Sequence, residues 1–238
     1  VKSETTGVRH EDAYFFGRIA AGLTHELKNV LAIINETGGL VEDLLDLGAG
    51  DNLQYKERFQ KALKTILAQT KRGLELTNRF NRFAHSADSA LEAIDCGQWV
   101  EQIVFLSRRF ARLREVDLEV MAAAAPVEET HIETDPFLFQ MALFTALDCL
   151  MDVAGPGGKV TVQWRCGQQG LDVRFLSAPG ESKGDPQTTG IDVTPCLSGV
   201  QEASGPIGGT VSWKAGEGVL DFRFPRSLGA GPGPEAAG

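Results

Sequence analysis

The sequence predicts an α+β protein in which a long antiparallel helical hairpin precedes a domain of mixed helices and strands. Three observations predict it. Apolar residues recur at alternating steps of four and three along two long segments, about 11–47 and 53–84. A run of turn residues, Asp46-Leu-Gly-Ala-Gly-Asp-Asn52, joins those segments. Beyond His85 the pattern changes to short alternating runs interleaved with amphipathic stretches.

The first helix is expected over about Glu11–Leu47, after a polar, frayed segment of residues 1–10. Phe16, Leu23, Val30 and Leu44 form one apolar row, and Ala20, Leu27, Ile34 and Val41 form a second. Together they make the narrow stripe of a helix in a bundle. Gly38-Gly39 marks a place where this helix can bend. The second helix is expected over Leu53–Ala84, where Phe59, Leu63, Ile66, Thr70, Gly73, Thr77 and Phe80 keep the same spacing. Long helices joined by a short turn pack antiparallel. A lone hairpin, assigned to residues 11–86, leaves part of each stripe uncovered, so a homodimeric four-helix bundle is expected.

His85-Ser-Ala-Asp-Ser89 reads as a linker to a second domain of residues 90–226. There Leu91–Ile94 reads as a strand and Trp99–Leu113 as a helix with Val100, Ile103, Val104 and Leu106 on its apolar side. Val116–Met121 reads as a strand, and a further short strand is expected near Ile132. Asp135-Pro136 supplies an N-cap and a first helical residue. The helix they open runs to Ala154 and is apolar nearly all round, so it is expected to be buried. Lys159–Trp164 and Leu171–Leu176 alternate as a hairpin across a Gly-rich loop. Val193–Ser204 reads as a helix despite Pro195, and Thr210–Lys214 with Val219–Phe224 as a last hairpin. Residues 227–238, with their Gly-Pro-Gly-Pro, are too poor in large side chains to pack and are expected to be disordered.

Composition excludes several function classes. The 238 residues, 42% hydrophobic, suffice for one large or two modest cores. A net charge of −9 argues against nucleic-acid binding, which needs clustered cations. The single basic cluster, Arg108, Arg109, Arg112 and Arg114, reads as a solvated helix face. No apolar run reaches the length of about 18 residues that a transmembrane span needs, and no signal peptide is expected in the polar first ten residues. Cys96, Cys149, Cys166 and Cys196 lack C-x-x-C spacing and read as free thiols of a reducing cytoplasm. His10, His25, His85 and His131 are scattered, so no metal site is expected.

The residues that point to chemistry lie in the first helix. If the two apolar rows face inward, His25 stands on the outer face with Asn29 one turn further on, flanked in sequence by Glu26 and Lys28. An isolated surface histidine is commonly inert, but this one lies in His25-Glu26-Leu27-Lys28-Asn29-Val30-Leu31. The stretch resembles the phosphoacceptor box of bacterial histidine kinases and histidine phosphotransferases, H-E-[LI]-[RKN]-[NT]-P-L, with Val30 where proline is usual. The preceding Ala20-Ala21-Gly22-Leu23-Thr24 is also similar to that family.

The order of elements over Ala90–Arg226 resembles the ATP-binding α/β sandwich that follows the hairpin in histidine kinases. Its nucleotide boxes are altered. Leu143-Phe-Thr-Ala-Leu-Asp-Cys149 stands where the family has an asparagine box, which puts Asp148 at the metal-ligating asparagine and Phe144 at an earlier one. An aspartate can still hold magnesium. Leu176-Ser177-Ala178-Pro179-Gly180 stands where the family has D-x-G-x-G, and only Gly180 survives. Neither leucine nor serine replaces the carboxylate that accepts from adenine. The phosphate-cradling glycine box is reduced to Thr189-Gly190-Ile-Asp-Val-Thr194. Asp148, Gly180 and Gly190 are thus remnants of a nucleotide site, and ATP binding is not expected.

An intact acceptor box beside an eroded ATP site resembles the histidine phosphotransferases. The resemblance implies that His25 takes a phosphoryl group from one response-regulator receiver aspartate and passes it to another. Glu26 would act as base or orienter of the ring, Asn29 would orient a water, and Lys28 would balance phosphoryl charge. Magnesium would come with the receiver domain, and no cofactor is expected in this chain. Two other readings fit the same pattern: an active sensor kinase with a divergent ATP site, and a non-catalytic dimeric scaffold that binds a kinase or receiver.

Overall fold

The structure, a computed structural model, describes residues 10–46, 53–121, 130–180, 194–214 and 217–227. It divides into two compact units, Val1–Ala84 and His85–Gly238. The expectations for residues 1–9, for the turn after Asp46, for Gly190 and for the C-terminal tail beyond Ser227 lie outside the described residues.

The first unit holds α1 (His10–Asp46) and most of α2 (Leu53–His85). α1 runs unbroken through Gly38-Gly39. Three cross-helix contacts fix the register. Phe83 meets Phe15 edge-on at 5.4 Å and stacks on Phe16 at 5.3 Å. Arg72 meets Glu26 at 2.6 Å, and Val30 packs where a side chain on Gly73 would begin. Phe15 and Phe16 near the start of α1 meet the end of α2, whereas Glu26 and Val30 meet Arg72 and Gly73 earlier in α2, so the helices are antiparallel. Phe83 is fully buried, which contributes about 1.5–3 kcal/mol, and each ring pair adds about 0.5–1.5 kcal/mol.

Both stripes are rotated from the expected ones. On α1 the buried residues are Phe15, Ile19, Gly22, Leu23, Glu26, Val30 and Leu44. Leu23, Val30 and Leu44 are inward as expected, whereas Phe16, Ala20, Leu27, Ile34 and Val41 are only half-buried. The displaced row runs through Ile19 and Glu26. A carboxylate reads as surface in a sequence, and only its cation on the other helix lets it turn inward. On α2 the inward positions are Phe59, Ala62, Ile66, Gln69, Gly73, Leu76, Phe80 and Phe83, again at alternating steps of four and three. Leu63, Thr70 and Thr77 are exposed. The hydroxyls of Thr70 and Thr77 donate to Ile66 O and Gly73 O of their own helix, so neither needs a partner in the core.

The second unit begins in the linker, where Ser86 is buried and accepts a hydrogen bond from Gln140 Nε2 at 2.9 Å. β1 (Glu92–Asp95) pairs antiparallel with β3 (His131–Thr134), placing Ile94 opposite Ile132. α3 (Cys96–Leu113) starts three residues before the expected Trp99, because Asp95 caps it by accepting from Gln98 N at 2.8 Å. Gly97 hid that start: the Trp164 ring occupies the space of its missing Cβ. β2 (Asp117–Met121), α4 (Pro136–Ala154), β4 (Lys159–Gly167), β5 (Gly170–Ala178), α5 (Thr194–Ser204), β6 (Thr210–Lys214) and β7 (Val219–Pro225) follow. Asp135 caps α4 through Phe137 N and Leu138 N. The β4–β5 hairpin is longer and tighter than expected, since Gly167 pairs with Gly170 across a two-residue turn.

Five strands form a sheet in the order β2-β4-β5-β7-β6, with β2 parallel to β4 and the rest antiparallel. Alternation assigns the faces. Val160, Val162, Leu171, Val173, Phe175, Leu220, Phe222 and Phe224 are buried, with α3, α4 and α5 packed on the strands. Charge pairs lace the other face: Arg174 with Asp221, Lys214 with Asp221, and Arg223 with Asp172. α4 is the one helix among the described residues long and apolar enough to cross a membrane, yet 67% of that stretch is buried within the protein. Ser227 bridges to Glu133 and donates to its carboxylate.

The cysteines correct one expectation. Cys96 and Cys166 are buried free thiols, and burial, then the contact with Cys166, pushes the Cys96 thiol well above its ordinary range. Cys149 is disulfide-bonded. Spacing along the chain does not reveal such a bond, which depends on what the fold brings together. Cys149 thus departs from the expectation of four free thiols, while Cys96 and Cys166 meet it.

Candidate functional site

His25 lies mid-way along α1, on the side away from the buried stripe, and is exposed together with Lys28 and Asn29. The Asn29 amide lies one helical turn on, with Nδ2 3.3 Å from His25 Nδ1. The oxygen and nitrogen of an amide are interchanged by a half-turn, so its orientation follows from the ring's tautomer. As placed, the amide N–H donates to Nδ1 and the ring proton sits on Nε2; after a half-turn of the amide its oxygen accepts from Nδ1–H, which leaves the lone pair on Nε2. His25 and Asn29 are thus brought together as the spacing implied.

Glu26 is placed differently from the expected flanking surface carboxylate. It is 5% exposed, and Arg72 Nη2 donates to its Oε2 at 2.6 Å across the hairpin. Arg72 itself is half-exposed. The sequence reading missed Arg72. Its trace is positional: it follows Gln69 and precedes Gly73 and Leu76, at the border of the inward stripe of α2.

In the second unit, Asp148 accepts from Arg114 Nη2 at 2.9 Å, while Arg114 Nε donates to Asp152 at 2.6 Å. The sequence groups Arg114 with the arginines of a solvated helix face. Arg108 and Arg112 are exposed, but Arg114 caps the end of α3 and turns onto α4. The carboxylate at the expected metal position already holds a guanidinium, a poor starting point for binding magnesium. Phe144 is buried and packs edge-on against Phe110 at 5.2 Å. Among the described residues, no cluster of three His, Cys, Asp or Glu side chains can hold a metal ion.

At the end of β5, Ser177 is buried and its hydroxyl donates to Leu150 O on α4. Gly180 packs against the backbone of Pro156–Gly158, where a Cβ would strike Pro156 O. Its lack of a side chain is required by this close approach within the fold.

No protein-family model matches this chain, and no curated protein matches it. Among solved structures, it is similar to the catalytic domain of histidine kinase ThkA, at 14% identity and a TM-score of 0.46, over 59% of this chain and 100% of that one. It is similar to the Acinetobacter baumannii histidine kinase AdeS at 12% identity and a TM-score of 0.44, over 85% and 98% of the two chains. A structure of ThkA in complex with the response regulator TrrA is also similar, at 14% identity and a TM-score of 0.42, over 92% and 65%.

Proposed function

We propose that this chain is a histidine phosphotransferase, relaying a phosphoryl group between receiver aspartates through His25 without using ATP. The observation that carries this reading is the exposed His25 with Asn29 against its Nδ1, within an acceptor-type box on a hairpin helix. The neutral ring attacks through Nε2. A P–N bond forms as the P–O bond of the donor's aspartyl phosphate breaks, and the electron pair leaves on the donor carboxylate. The ring then bears one positive charge until its Nδ1 proton is released to a base. The reverse sequence delivers the phosphoryl group to the second receiver. The chain's contribution is to position the ring and supply charge, with the magnesium brought by the receiver.

The pairing of Asp148 with Arg114 and the absence of a carboxylate at Leu176-Ser177 support a relay over a kinase. Leu67 and Leu74 are 63% and 62% exposed on α2, which supports a second copy of the hairpin completing a four-helix bundle.

The test is to incubate the purified chain with γ-labelled Mg-ATP, and separately with a phosphorylated receiver domain. Label should come from the receiver alone, and His25→Gln should abolish it. Label taken from ATP would make the protein a kinase. Label from neither source would leave a scaffold.

A further inference from the structure

Arg72 makes a 2.6 Å contact with Glu26, the residue next to His25. We propose that Arg72 is a positioning residue for phosphoryl acceptance at His25, acting through Glu26. The proposal rests on the reading of His25 as the acceptor.

Glu26 is 5% exposed, and a carboxylate in that setting is costly as an anion unless a cation accompanies it. Arg72 is that cation. Its side chain is 47% exposed, so it spans from the hairpin interior to the surface and carries charge outward. A guanidinium stays charged and offers its donors in a rigid fork. Held this way, the Glu26 carboxylate keeps one place, immediately beside His25 in the chain. The charge of a carboxylate so fixed acts through space, not by contact, on the positive ring that exists after attack and before the Nδ1 proton departs. Neither helix alone provides this: the histidine and carboxylate come from α1 and the arginine from α2.

The experiment uses the full chain and labelled phosphoramidate, a donor that needs no partner protein. Its P–N bond breaks and ammonia leaves as phosphorus bonds to the ring. Label at His25 is followed over time in the natural sequence and in Arg72→Leu, Arg72→Lys, Glu26→Gln and the Glu26→Gln/Arg72→Leu pair, with helicity checked by circular dichroism. Arg72→Leu should slow labelling by about tenfold or more, and Arg72→Lys should recover most of it. In the Glu26→Gln background, Arg72→Leu should cause no further loss. The double variant removes both charges, so it keeps the test available if Arg72→Leu alone unfolds the hairpin.

Labelling of Arg72→Leu at the natural rate would overturn the positioning role and leave the relay standing. An equal loss from Arg72→Leu in both backgrounds would show that Arg72 does not act through Glu26, and would also overturn it. If the natural sequence takes label from neither phosphoramidate nor a phosphorylated receiver, the relay itself fails, and the role of Arg72 with it.

Discussion

Arg114 and Asp148 are joined across the α3–α4 contact by a 2.9 Å hydrogen bond from Nη2 to Oδ1. The same guanidinium reaches Asp152, one turn further along α4. Removing it takes the Arg114 charge away from two carboxylates four residues apart. Arg114→Ala should therefore cost about 1–2 kcal/mol of stability in urea unfolding. It should not create a nucleotide site, because no carboxylate stands at Leu176-Ser177 to accept from adenine. A fluorescent ATP analogue with magnesium should remain unbound to both proteins. Saturable binding to the natural sequence would sink the relay without ATP.

Asp221 gives a pH dependence. The hydrogen bond from Arg174 first, and then the charges of Arg174 and Lys214, hold its carboxyl below the ordinary aspartate range. A depressed folded-state pKa contributes stability that is fully present above the unfolded value and is lost as pH falls through the folded one. The stability difference between the natural protein and Asp221→Asn should thus be constant near neutrality and shrink in the acid range, below the ordinary aspartate value. Arg174 is half-exposed, so solvent screening limits the effect to about 1 kcal/mol or less. A difference that grew on acidification would contradict the pairing. Denaturant midpoints at a series of pH values would measure it.

Gly180 separates a structural role from a nucleotide-binding one. A methyl group there would strike the Pro156 carbonyl and crowd the backbone of Gly157 and Gly158. Backbone cannot swing aside as a flexible side chain can, so Gly180→Ala should cost about 1–3 kcal/mol. Differential scanning calorimetry should show a lower Tm. An unchanged Tm would mean that the turn after α4 does not approach the end of β5 so closely.

The sequence by itself determined most of the architecture. Alternating steps of four and three gave two long helices, because a stripe on a helix can be buried only against another element. Asp135-Pro136 set the start of α4 through local capping, which needs no distant partner. Strict alternation along Val160–Val162 and Leu171–Phe175 identified strands, because successive side chains point to opposite faces. The pair His25 and Asn29 was equally legible, since residues four apart on a helix share a face.

What only the tertiary structure decided are the contacts between elements. Glu26 reads as a surface residue until Arg72 arrives from the other helix. Asp148 reads as a possible metal ligand until Arg114, at the end of α3, turns onto it. Gly97 reads as a poor helix residue until the Trp164 ring fills its place. In each case the side chain's role depends on a partner tens of residues away. Period and local propensity carry no information about that partner, and a charge may be buried only where the fold supplies its opposite.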